Sequence, residues 1–167
     1  MFYIKILKMY WINGEEDNPN DLCLHGDVEI IIGNEIFKES GTISAMGIRL
    51  LKTITEDHYK TDGEQMLPCC GHFLIANDKL DMVTIIGCPN GIDWTTTHEN
   101  NLVKITTESG NITCVGINEY IKTVYNIADE IENFYKKSSL KNVPEDEFES
   151  NGYNAFWIEW HNRRNEF

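Results

Sequence analysis

Residues 72–117 read HFLIANDKLDMVTIIGCPNGIDWTTTHENNLVKITTESGNITCVGI, and their pattern decides the fold class. Five β-prone runs, HFLIAN, MVTIIGC, IDWTTTH, LVKITTE and ITCVGI, alternate with short polar breaks. The breaks are Asn77-Asp78, Pro89-Asn90-Gly91, Glu99-Asn100-Asn101 and Ser109-Gly110-Asn111. Asn and Asp tolerate and stabilise turn conformations, Gly supplies positive φ, and Pro presets φ near the turn value. Connections this short suit antiparallel neighbours. A parallel pair would need a crossover of a dozen or more residues, and there is no room for one. This stretch is therefore expected to form a β-meander.

Working outward, residues 2–11 form a strand rich in Ile, Tyr and Phe, and DVEIIIGNEIFKE forms two β runs around a Gly33-Asn34 hairpin turn. Residues 42–57 are expected to be helical, with Ile43, Met46, Leu50 and Ile54 on one face, Leu51 beside them, and Thr42 or Ser44 as the cap. Gly47 weakens that helix by about 1 kcal/mol relative to Ala. Residues 118–137 give the clearest helix, capped by Asn118, with a stripe of Ile121, Val124, Tyr125, Ala128, Ile131 and Tyr135. Lys136 and Lys137 stand where the helix dipole favours cations. After Pro144, the acidic run Glu145-Asp146-Glu147 suits a first helical turn. Gly152 is expected to interrupt that segment before a last helix bearing Tyr153, Phe156, Trp157 and Trp160. The result is one α+β domain spanning 1–167, a single antiparallel, meander-rich sheet with helices packed mainly on one face. The linker-like stretches 12–22 and 138–148 are too short to mark a domain boundary.

The 167 residues suit one domain, and 41% hydrophobic content supplies a core without disulfides. With 27 acidic against 14 basic residues the net charge is −13. That balance argues against nucleic-acid binding, which needs clustered Lys and Arg. It suits solubility, or attraction to a basic partner. The opening MFYIKILKMYW carries Lys5 and Lys8 and has no small-residue cleavage site. No run approaches the ~18 apolar residues of a membrane span. A cytoplasmic location follows as the default, with the five cysteines reduced.

The chemistry-bearing stretch is LPCCGH, residues 67–72. Cys69, Cys70 and His72 lie at the start of one predicted strand, and Cys88 ends the next. If the two form a hairpin, Cys88 approaches the other three. Cys23 and His25, in DLCLHG, offer a second Cys/His pair. Thiolates and imidazoles are the usual ligands of tetrahedral zinc. The spacing is not a Cys-x-x-Cys knuckle, and adjacent residues in a strand face opposite ways. A second reading makes Cys69 or Cys70 a nucleophile, with His72 as base and Asp93 or His98 orienting it. The favoured reading is that these cysteines pack as small hydrophobes at a strand start. Asp93 is expected to be an exposed or capping carboxylate, His58 to sit at a helix end, and His161 to face solvent. The aromatic last helix is read first as docked on the sheet. Its Trp157, Trp160, Arg163 and Arg164 also make it a candidate partner-binding surface.

In LPCCGH, IIGCPNGIDW, IENFYKKS and FWIEW the chain resembles a group of small uncharacterised bacterial proteins, similar in size and charge to toxin-immunity proteins. The resemblance runs from about Trp11 to Trp160 and carries no assigned site residue. It implies a non-enzymatic cytoplasmic protein that neutralises a basic toxin domain by binding it. The competing expectation is a metal- or thiol-dependent enzyme around residues 69–88. A homodimer through an edge strand or the aromatic helix is also compatible with the pattern.

Overall fold

The helix α1 (Ile43–Lys52) is buried on every side from Ile43 to Leu51, and the rest of the protein is arranged around it. The structure is a computed structural model that describes residues 1–12, 17–60, 63–70 and 73–167. Three strands precede α1: β1 (Phe2–Tyr10), β2 (His25–Ile32) and β3 (Glu35–Thr42). They form an antiparallel sheet in the order β1-β2-β3. In β1 the residues Phe2, Ile4 and Ile6 are buried while Tyr3, Lys5 and Leu7 face out, the period-2 alternation of a half-buried strand. The register slips between Ile6 and Lys8 and leaves Leu7 as the extra residue of a bulge. The β2–β3 hairpin turns at Gly33-Asn34 as expected, pairing Ile32 with Glu35.

Seven short strands follow: β4 (Leu67–Pro68), β5 (Phe73–Ala76), β6 (Val83–Ile86), β7 (Gly91–Ile92), β8 (Thr95–Glu99), β9 (Leu102–Thr106) and β10 (Ile112–Gly116). All their pairings are antiparallel, as the turn spacing predicts. The expected single sheet is corrected. The described strands form two three-stranded sheets, β1-β2-β3 and β10-β9-β8, and two two-stranded ones, β4-β7 and β5-β6. The break has a backbone cause. Residues 67–68 pair with 91–92 and residues 73–76 with 83–86, but Pro68 and Pro89 have no N–H to donate to a ladder. Further along, the Met66 N–H donates to the Asp93 side chain (3.1 Å) instead of to a neighbouring strand.

The helix expected over 42–57 ends earlier, at Lys52. Thr42 stands at its N-cap without a side-chain bond. The Leu24 carbonyl instead accepts the Ser44 N–H at 3.2 Å and the Ser44 hydroxyl at 3.4 Å. The helix has no solvent face at all, because its small residues admit neighbours on the flank expected to be exposed. Gly47 lies against the outer ring of Trp160 and against Ile131.

The helix α2 (Ile117–Lys137) is found as expected but is capped at Gly116, not Asn118. Its first N–H donates to the Asn101 carbonyl of the β8–β9 turn at 2.9 Å. Its buried stripe is Tyr120, Val124, Ile127, Ala128, Ile131 and Tyr135, while Ile121 and Tyr125 are only partly buried. The helix α3 (Glu147–Arg164) is continuous, so Gly152 does not interrupt it. Asp146 caps it, accepting the Glu149 N–H at 3.0 Å. Gly152 is instead where α3 meets β5, and a Cβ built there would overlap the Leu74 carbonyl oxygen. Gly152→Ala should therefore destabilise by about 1–2 kcal/mol. Overpacking costs about 1–3 kcal/mol and outweighs the ~1 kcal/mol that alanine gains in a helix. Thermal denaturation checks this, and a raised midpoint would show that α3 and β5 are not in close contact.

Residues 17–19 of the first linker-like stretch lie against residues 141–142 of the second. The Asn142 N–H donates to the Pro19 carbonyl at 2.9 Å. The Lys141 ammonium is 2.7 Å from Asp17 and sits 3.3 Å above the centre of the Trp11 ring. No helix among the described residues is long and apolar enough to cross a membrane.

Candidate functional site

Cys69, Cys70 and Cys88 lie between two short ladders. On one side of the gap between them β4 pairs with β7, Leu67 opposite Ile92. On the other β5 pairs with β6, Phe73 opposite Ile86. Two backbone bonds hold the gap closed: the Cys69 N–H donates to the Asn90 carbonyl at 2.9 Å, and the Cys88 N–H to the Cys70 carbonyl at 3.3 Å. Because residues 69 and 70 are not in a strand, their side chains need not oppose each other. Their sulfurs are 3.4 Å apart. The Sγ atoms of Cys69, Cys70 and Cys88 all lie within 4.8 Å of one another.

The predicted approach of Cys88 to Cys69 and Cys70 is thus observed. His72 lies outside the described residues. The packed-hydrophobe reading is corrected in part, since Cys70 is exposed and Cys69 and Cys88 are half-buried. The three thiols are not equivalent. The Asn90 backbone N–H, and then the Cys69 thiol, donate to the Cys88 sulfur and hold it below the ordinary thiol range. Cys69 is pushed up to about 12, first by its hydrogen bond to Cys88 and then by burial.

Cys23 and His25 do not join this group. Burial pushes the Cys23 thiol up to about 12, so it stays a neutral packing group. Its sulfur contacts the Thr42 hydroxyl at 3.8 Å. His25 opens β2, is buried, donates Nδ1–H to the Cys23 carbonyl at 2.9 Å and stacks on Tyr10.

Asp93 is buried, and its Oδ1 accepts the Met66 and Trp94 N–H groups as well as His58 Nε2 at 2.8 Å. His98 pairs with Asp57 at 2.8 Å. Asp93 thus commits Oδ1 to His58 and two backbone N–H groups and His98 commits Nδ1 to Asp57, while Asp93 Oδ2 and His98 Nε2 are buried without a hydrogen-bond partner among the described residues. His58 borders a cleft of about 230 Å³ whose wall includes Arg49, Lys52, Glu56 and Glu64. Arg49 donates to the carbonyls of Gln65, Gly63 and Ile85, with Ile85 at 2.7 Å. Burial pushes its guanidinium down to about 10, against the pull of Glu64 and Asp93. It remains a cation at neutral pH, held by carbonyls and braced from α1.

The aromatic helix is docked. Tyr153, Phe156 and Trp160 are buried, and Trp157 is partly so, edge-on to Tyr135. Arg163 pairs with Glu159 and Glu56, and Arg164 with Asp129 at 2.6 Å. His161 faces solvent as expected, 3.2 Å from Glu132.

A different surface was missed by sequence reading. Phe73 on β5 is 58% exposed and Phe148 on α3 is 48% exposed, yet their rings pack at 5.7 Å. They border a cleft of about 250 Å³ whose wall also includes Leu22, Leu74, Pro144 and Tyr153. Ile86, opposite Phe73, is exposed as well. Glu145, Asp146, Glu147 and Glu149 are all exposed around Phe148, with no Lys or Arg between Pro144 and Gly152. The signal available in the sequence was the lone Phe148 inside an acidic run. Comparison of the chain with protein-family models, with curated proteins and with solved structures gives no match.

Proposed function

We propose that the protein acts by binding a basic protein partner and that the partner is a bacterial toxin domain, the reading its likeness in size and charge to toxin-immunity proteins implies. The observation that carries this reading is the Phe73–Phe148 pair set in an apolar cleft and fringed by four carboxylates. An apolar centre with a charged rim is the anatomy of a recognition surface. The centre supplies affinity once desolvated, and the rim steers a positively charged partner and rejects acidic ones. The net charge of −13 extends that steering field beyond the patch.

The test is protection. The chain is co-expressed with the C-terminal domain of a secreted toxin encoded beside its gene, and growth and copurification are scored. Restored growth and a one-to-one complex are the expected result. Phe148→Lys, which stays folded because Phe148 is half-exposed, should weaken the complex by about thirtyfold or more, the effect of losing one hot spot. No toxin encoded nearby, or growth arrest that the native chain does not relieve, would overturn the reading.

A further inference from the structure

The three-thiol cluster stands apart from the proposed docking surface, and its geometry makes a separate case. In a tetrahedral zinc site with Zn–S bonds of about 2.3 Å, two sulfurs stand about 3.8 Å apart. Here one pair is at 3.4 Å and all pairs are within 4.8 Å. Small side-chain rotations therefore close a coordination triangle with no movement of the backbone. The framework is already built, because β4–β7 and β5–β6 clamp both sides of the gap and two backbone hydrogen bonds cross it. The donor set is chemically selective: sulfur ligands favour zinc and cuprous ions over magnesium and calcium, which take oxygen.

We propose that Cys69, Cys70 and Cys88 form a metal site that binds one zinc ion through three thiolates. Each sulfur gives up its proton to solvent as the S–Zn bond forms, and nothing is oxidised or reduced. Three protein sulfurs leave the fourth tetrahedral position for another ligand, and Cys70 places the site at the surface where such a ligand can arrive. The ion joins segment 69–70 to segment 87–90 across the gap.

The experiment uses the full-length, untagged chain, reduced and freed of metal, titrated with cobalt(II). The expected result is one equivalent bound per chain with a thiolate-to-cobalt charge-transfer band in the near ultraviolet, displaced by one equivalent of zinc. Cys69→Ser, Cys70→Ser and Cys88→Ser should each weaken binding by more than the roughly hundredfold that outer-sphere changes reach. Cys114→Ser serves as the control, since Cys114 lies exposed on β10 and is outside the cluster. It should retain the band, and circular dichroism confirms that every variant is folded. No charge-transfer band overturns the proposal, as does a band that survives in the three cluster variants. A disulfide between any two of the three in protein kept under reductant also overturns it. None of these outcomes depends on whether the chain binds a toxin.

Discussion

Glu159→Ala should lower the stability by about 3–5 kcal/mol, the cost of breaking a buried ion pair from one side. Glu159 is 2% exposed, and each of its oxygens is committed. Oε2 accepts the Val83 N–H at 2.7 Å and lies 3.3 Å from the Lys52 ammonium, while Oε1 accepts Arg163 Nε at 2.8 Å. One carboxylate thus joins α1, β6 and α3. Burial works against the Arg163 charge, but Glu56 and Glu159 more than offset it and raise its guanidinium above the usual range. Removing Glu159 leaves the Val83 N–H without its acceptor and two cations facing each other's field. Glu159→Gln keeps an oxygen for Val83 and should cost distinctly less. In a chain of this size each kcal/mol moves the midpoint about 2–4 °C, so thermal denaturation should show a fall on the order of 10 °C for alanine. Equal losses for the two variants would show that the carboxylate's charge is not what matters.

Trp160→Ala should cost about 3–5 kcal/mol, as large aromatic truncations in cores do. Trp160 is wholly buried and packs on Phe156, Trp157 and the Gly47 position of α1. The informative part is its coupling to Gly47. A Cβ at Gly47 would stand 2.5 Å and 2.8 Å from two outer-ring carbons of Trp160. In the native background Gly47→Ala should therefore destabilise by about 1–2 kcal/mol, because the clash exceeds the ~1 kcal/mol helix-propensity gain. In a Trp160→Phe background, whose shorter ring does not reach, the same change should stabilise by up to ~1 kcal/mol. The sign reversal is a double-mutant coupling of the kind that residues in direct contact produce. Chemical denaturation of the four proteins measures it, and additive effects would refute the contact.

These positions also show what the sequence can and cannot disclose. The antiparallel hairpins β5–β6 and β8–β9–β10 were legible because Asn, Asp, Gly and Pro mark their turns. The division of the strands after α1 into three small sheets was not, because a ladder ends where Pro68 and Pro89 lack donors and where the Asp93 side chain takes the Met66 N–H, and that is a tertiary event. The approach of Cys88 to Cys69 and Cys70 followed from hairpin logic. That both adjacent sulfurs turn to one side did not, since it depends on residues 69 and 70 leaving the strand. Glu159 sits among aromatic residues in EFESNGYNAFWIEWHNRR, and local pattern assigns such a carboxylate to solvent. Its role appears only when Val83, 76 residues away, is brought beside it.

Because α1 lies inside rather than on a layer, none of the surrounding sheets has an independent core. The β1–β2–β3 sheet through β2, the strands β4 and β6, and the helices α2 and α3 each meet the same ten-residue helix. Lifting any one of them wets α1 and weakens the support of the others, so partial opening gains little that complete opening does not. The amide protons of α1 should accordingly be the last to exchange with solvent water, through whole-molecule unfolding rather than local fraying. A central helix of this kind should make the protein unfold as a single cooperative unit despite the shortness of the strands that follow it.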